Sequence, residues 1–247
     1  MILKPNSCNV DLTIIMPCYN EISTIKLAIE QVLATLNNRK ENIEFFIIDN
    51  NSKDGTKEYL NNLDISLVKI ILNNDNLGKG GSVQKGISLS KGKYIIIYDA
   101  DLEYEAKNIW DLYDIIKKDG FSLVLGHRME GYEINRNIGY FHYYIGVKFL
   151  TILINILYGS QISDSATCFK LIDGNLARSI DFYSKGFALD FEIICKVLRL
   201  GHSISECPVN YEQRSRKEGK KIKAVDGFIA LIVIILERFN LIHLFSK

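Results

Sequence analysis

The sequence has no C-x-x-C pair, no bias toward charge of either sign, and no apolar run long enough to cross a bilayer. Each absence narrows the field. The five cysteines (Cys8, Cys18, Cys168, Cys195 and Cys207) form an odd, irregularly spaced set and read as free, mostly buried thiols in a reducing compartment. Lys and Arg number 30 against 29 Asp and Glu, so bulk charge points to no nucleic-acid partner, and anion binding must come from local clusters. The opening MILKPNSCNVDLTIIM lacks the apolar core and cleavage site of a signal peptide. The longest uninterrupted apolar run, Phe228 to Leu236, is nine residues, against the roughly 18 a membrane span needs. The expectation is a cytoplasmic protein, with peripheral contact to the cytoplasmic membrane face as its extension. With no repeat, low-complexity tract or Pro/Gly-rich linker, residues 1–247 read as one domain.

What is present has a rhythm. Leu12–Met16, Phe45–Ile48, Leu67–Leu72, Tyr94–Tyr98 and Ser122–Leu125 are short apolar runs rich in Ile and Val, as expected of strands buried on both faces. Helical patterns separate them at Glu21–Asn38, Lys53–Asn62, Gly80–Ser90 and Lys107–Lys118. The alternation predicts an α/β fold with a mostly parallel sheet flanked by helices. The second half is less regular: an apolar stretch at Ile138–Tyr158, a strand at Ala166–Ile172, a helix at Leu189–Leu200, a strand at Ile204–Tyr211 and an apolar helix at Val225–Phe239.

In such sheets, ligands bind beyond the carboxyl ends of the strands. Those ends read Pro17-Cys18-Tyr19-Asn20-Glu21, Asp49-Asn50-Asn51-Ser52 and Asp99-Ala100-Asp101-Leu102-Glu103. Carboxylates at three strand ends form an acidic crevice suited to a hard divalent cation. If the chain stays extended, Asp99, Asp101 and Glu103 point to one side as joint ligands. The alternative is that Asp99 and Asp101 only cap the next helix.

The run PxYNE, DNNSxDGT, NLGKG and DADLE, in this order and spacing, resembles family 2 glycosyltransferases of the GT-A (Rossmann-like) fold, nearest to the dolichyl- or polyprenyl-phosphate mannose synthase branch. Gly126-His127-Arg128, Arg136, Asp164 within SDSATCFK, Gly186-Phe187 with Glu192, and Pro208-Val209 with Tyr211 and Arg214 extend the likeness to roughly residues 10–240. The resemblance implies a nucleotide-sugar-binding half at about 10–125, an acceptor half at 126–223 and a C-terminal apolar helix at 224–247. Pro17, Tyr19, Glu21, Asp49, Asn50, Lys79, Asp99, Ala100, Arg128 and Arg136 are its candidate nucleotide-sugar contacts. Asp99, Asp101 and Glu103 are the candidate ligands of Mg²⁺ or Mn²⁺, and Asp101, Arg214, Asp164 and Glu192 the candidate catalytic residues. Two departures stand out: Asn50 replaces a frequent second Asp, and Ala166 replaces an acidic residue.

Residues 214–223 hold six basic residues in ten positions. By the resemblance they form a mobile acceptor loop, with Arg214, Arg216, Lys220 and Lys221 as acceptor contacts. The following helix is apolar around its circumference and needs burial in protein or lipid; Phe149–Tyr158 is a second interfacial candidate. A lipid phosphate, with a second pKa near ~6, is largely dianionic at neutral pH and needs no general base, whereas a sugar hydroxyl does. The implied activity is inverting transfer of a hexose, mannose or glucose, from a GDP- or UDP-sugar to a polyprenyl phosphate. Transfer to a saccharide hydroxyl in surface polysaccharide assembly, and a catalytically silent nucleotide-binding scaffold, are the alternatives.

Overall fold

The computed structural model describes residues 10–37, 39–128, 138–214, 221 and 223–241, the side chains of 138–142 excepted. Seven strands form one sheet: β1 (Leu12–Cys18), β2 (Ile43–Asp49), β3 (Val68–Leu72), β4 (Tyr94–Ile97), β5 (Leu123–His127), β6 (Lys170–Asp173) and β7 (Ile204–Pro208), in the order β3-β2-β1-β4-β6-β5-β7. The helices are α1 (Ile25–Leu36), α2 (Thr56–Asn61), α3 (Gly78–Leu89), α4 (Asn108–Asp119), α5 (Ile138–Tyr158), α6 (Gly174–Ser179), α7 (Leu189–Arg199) and α8 (Ala224–Phe239).

The first half follows the apolar pattern closely, because central strands must be apolar on both faces. Every residue of β1 is buried, and successive side chains serve opposite layers. Ile14 belongs to the apolar layer that holds Ile25 and Ile29 of α1 and Leu112 of α4, while Ile15 belongs to the layer that holds Val83 and Ile87 of α3 and Ile194 of α7. Burying one such side chain contributes about 1.5–3 kcal/mol. The polar Thr13 is tolerated at full burial because its hydroxyl bonds the Glu44 carboxylate at 2.6 Å.

Several boundaries depart from expectation. The predicted helix from Glu21 starts only at Ile25, since residues 22–24 form a turn around the Glu21 carbonyl. Helix α6 was not expected; Asp173 caps it by accepting from Leu176 N at 2.8 Å. The strand expected at Ala166–Ile172 is Lys170–Asp173, and it runs antiparallel to both β4 and β5. The register explains the reversal: Lys170 lies opposite Ile97 and Leu125, near the carboxyl ends of β4 and β5. The chain therefore leaves β5 at His127 and enters β6 at Lys170 on the same edge of the sheet. That edge is the one with the cleft.

Candidate active site

A cavity of about 890 Å³ opens at this edge. Pro17, Tyr19 and Glu21 line it from the end of β1, Asn50 from β2, and Asp99, Ala100 and Asp101 from β4. Strand β4 stops at Ile97, and the chain then turns rather than continuing extended, with Leu102 at φ +63°. A bulky residue in the left-handed region is a strained outlier, the kind that clusters at functional sites. The expectation that alternation aligns Asp99, Asp101 and Glu103 is therefore corrected: the turn breaks the two-residue period. Helix-capping is ruled out as well, since α4 begins only at Asn108 and no side chain caps it.

The three acidic residues have different surroundings. Burial first, then the charges of Asp99 and Glu103, pushes the Asp101 carboxyl up to about 7. Asp99 accepts from the Lys79 ammonium at 2.8 Å. Glu103 turns toward the later chain, accepting from Tyr211 Oη at 2.8 Å and Arg214 N at 2.9 Å. Among the described residues no three His, Cys, Asp or Glu side chains converge as a ready metal cage.

Lys79 also reaches Asp190 at 3.3 Å, and Asp190 pairs on its other oxygen with the fully buried Lys170 at 3.2 Å. Asp99, Lys79, Asp190 and Lys170 thus form a buried chain of alternating charge. Burial opposes the Lys79 charge, but Asp190 and Asp99 hold its pKa well above the ordinary value. Asp190 is likewise held low against burial by Lys170 and Lys79. Burial prevails only at Lys170, whose pKa falls despite Asp190. Lys79 is positioned by a close helix–loop contact. Gly78 has φ +74°, and a Cβ there would lie 2.2 Å from the Lys185 carbonyl oxygen.

Two candidate catalytic carboxylates are placed elsewhere. Glu192 is fully buried, accepting from the backbone N–H groups of Tyr183 and Ser184 and pairing with Lys196. The reason is helical geometry: two residues on α7 separate by about 200°, so Asp190 faces the cavity and Glu192 faces away. Asp164 is gripped by Arg128 through two bonds of 2.6 and 2.7 Å. Burial raises its pKa, but the guanidinium more than compensates and holds it low. Neither lines the cavity; Asp164 pairs with Arg128, which does.

Asp49 is also inside the fold rather than on the cavity wall, accepting from Ser52 N at 3.1 Å. Asn50 lines the wall, donating to Asn76 Oδ1 and accepting from Leu77 N, each at 2.7 Å. The opposite rim comes from the basic segment. Arg214 and Lys221 pair with Glu21 at 2.9 and 2.5 Å, and Lys221 also donates to the Tyr19 carbonyl. Arg136, Arg216 and Lys220 lie outside the described residues. Ala166 lines the cavity, so the second sequence departure faces the site.

Sequence reading missed Asp190 and Lys170. A DFE triplet on a helix with Gly186-Phe187 one turn earlier carried the signal for Asp190. Lys170 closes the SDSATCFK motif, but its pairing was hidden because only the reversal of β6 brings it to this edge.

The model of the family described as glycosyl transferase family 2 matches residues 13–181. Over 227 residues the chain is 30% identical to a dolichyl-phosphate beta-glucosyltransferase of Dictyostelium discoideum, covering 83% of this chain and 67% of the relative. It is 26% identical to the low-salt glycan biosynthesis hexosyltransferase Agl6 of Haloferax volcanii, covering 82% of this chain but only 48% of that protein. In fold it is similar to glucosyl-3-phosphoglycerate synthase of Mycobacterium tuberculosis, crystallised with Mn²⁺, UDP and glucosyl-3-phosphoglycerate. That likeness has a TM-score of 0.69 at 15% identity and covers 92% of this chain and 79% of that one. With more than half its length inside the family model and the strand-end motifs in place, the chain belongs to glycosyl transferase family 2.

Proposed function

We propose that the chain transfers a hexose, glucose in first place, from a nucleoside-diphosphate sugar to a polyprenyl phosphate, with Mg²⁺ or Mn²⁺ held by Asp99 and Asp101. The observation that carries this reading is the meeting of two charge sets in one cavity. The acidic turn after β4 forms one side, and Arg214, Lys221 and Lys223 line the other. Glucose is favoured over mannose by the glucosyltransferase relative, and UDP is the nucleotide crystallised with the synthase of similar fold.

The donor set suits the cation. Magnesium is commonly held by one or two carboxylates, with phosphates and water completing its shell, rather than by an all-protein cage. The raised pKa of Asp101 marks a carboxylate short of positive charge. When bound, the cation neutralises charge that develops on the diphosphate as the sugar C1–O bond breaks. Lys79, beside Asp99, offers its ammonium to the same phosphates. Arg128, held rigid by Asp164, presents a planar cation.

The acceptor follows from what the carboxylates are already doing. Glu21 holds Arg214 and Lys221, Asp190 holds Lys79 and Lys170, and Asp226 accepts from Lys223 N at 2.7 Å. Each of these is thus engaged with a cation or a backbone N–H, and a sugar hydroxyl would need a base. A lipid phosphate needs only positioning and neutralisation by cations, which Arg214 and Lys221 supply.

Incubating labelled UDP-glucose or GDP-mannose with a short polyprenyl phosphate, then extracting into organic solvent, tests the assignment. Organic-soluble label from UDP-glucose is expected. Label recovered only on soluble saccharides would replace the lipid acceptor with a hydroxyl. In Asp101→Ala, transfer is expected to fall by roughly a hundredfold or more, the scale of losing one electrostatic stabiliser of a transition state. Mn²⁺-dependent UDP binding in a calorimeter should fall with it, while circular dichroism stays unchanged.

A further inference from the structure

Helix α8 is apolar on both its inner and its outer face: Ala230, Val233 and Ile234 are buried against the fold. Its acidic Glu237 is fully buried against α7, paired with Lys196 at 3.1 Å and Arg199 at 3.2 Å. Its apolar Val225, Phe228, Ile229, Ile232, Ile235 and Phe239 are exposed, Phe228 by 62%. A helix with a second apolar face turned to water is not a stable arrangement. Helix α5 packs beside it, fastened by Tyr158 Oη donating to the Ile234 carbonyl at 2.9 Å. It repeats the pattern: Leu150 and Ile154 are buried, while Ile145, Phe149, Ile152 and Ile156 are exposed, Ile156 by 74%. Those four positions follow i, i+4, i+7, i+11, a continuous stripe along one face. A soluble surface rarely leaves so contiguous an apolar patch open without a partner.

We infer that the outer faces of α5 and α8 form one docking surface, and that its occupant is the interfacial layer of a bilayer containing anionic lipid. Three observations select a membrane. No described helix is long and apolar enough to cross one, which fits helices lying in the interface plane. The exposed charges bordering the stripes are cationic: Lys148 on α5, Lys221 and Lys223 ahead of α8, and Arg238 near its end. Such a rim attracts anionic headgroups and sets like charges against one another if two copies pair through this face. The surface is also continuous with the cleft, since Tyr143 of α5 and Lys223, Ala224 and Asp226 at the start of α8 line the cavity. Docking by this face sets the cleft mouth at the headgroup level.

Flotation of the full chain with phosphatidylcholine vesicles, with and without phosphatidylglycerol, tests the surface in the absence of donor and acceptor. Its outcome is therefore separate from that of the transfer assay. The wild-type chain should float with vesicles containing phosphatidylglycerol, and the double variant Ile152→Glu/Phe228→Glu should bind them at least about tenfold more weakly. Because both residues are exposed and away from the cavity, the variant should keep its circular dichroism and its UDP binding. Failure of the wild-type chain to float, or equal flotation of the variant, overturns the proposal. So does a wild-type dimer in sedimentation that the variant abolishes while vesicle binding persists, which would make the face a contact between copies.

Discussion

At the scale of single residues, the site separates carboxylates that face the cavity from carboxylates that support it. Glu192→Ala leaves the N–H groups of Tyr183 and Ser184 without their acceptor. A stability loss of about 3 kcal/mol is expected, with kcat changed little in the folded enzyme; denaturant titration beside steady-state kinetics checks both. Asp164→Asn probes the Arg128 pair. Because the folded carboxyl lies below its ordinary range, its contribution is complete above the unfolded pKa near ~3.9 and is lost as pH falls through the lower folded value. Above about pH 5 the variant should be less stable by ~3–5 kcal/mol. In thermal melts across pH, the two proteins should converge in acid. The sequence made Asp99 and Asp101 legible because they end an apolar strand. It could not separate Asp190 from Glu192 without the rotation of α7, and chemical type alone favoured neither.

At the scale of elements, two close contacts set the geometry of the site. Helix α3 approaches the loop before α7 so tightly that a Cβ on Gly80 would lie 2.2 Å from the Ser184 carbonyl oxygen. Gly80→Ala must push that loop aside, at a cost of ~1–3 kcal/mol. Since Lys79 and Asp190 stand on the two sides of the contact, UDP affinity should weaken in the same variant, as calorimetry would record. Glu103 makes the second contact, tying the turn after β4 to Tyr211 and Arg214. Strands and helices of the first half were legible from period alone, because burial on both faces writes a continuous apolar run. The direction of β6 was not, since four apolar-flanked residues read the same either way. The left-handed Leu102 had no signal, for glycine is the residue that marks such a turn in sequence.

At the scale of the whole molecule, the seven-stranded sheet gathers the acidic turn after β4 and the basic residues Arg214, Lys221 and Lys223 at one edge, with α5 and α8 beside them. The apolar character of α8 was plain in the sequence. Which face turns inward was not, because the pairing of Glu237 with Lys196 and Arg199 joins residues far apart in the chain. The exposed apolar face of α8 bears on how turnover is measured. A cleft held at a surface meets a water-borne donor in three dimensions and a lipid-borne acceptor in two. Acceptor supply then depends on how densely it is packed among other lipids, not on how much is present per volume. Diluting the acceptor with inert phospholipid at fixed bulk concentration should lower the initial rate. Diluting vesicles and buffer together, with the enzyme fully bound, should leave the turnover per enzyme unchanged. The kinetics of this enzyme are expected to be those of a surface.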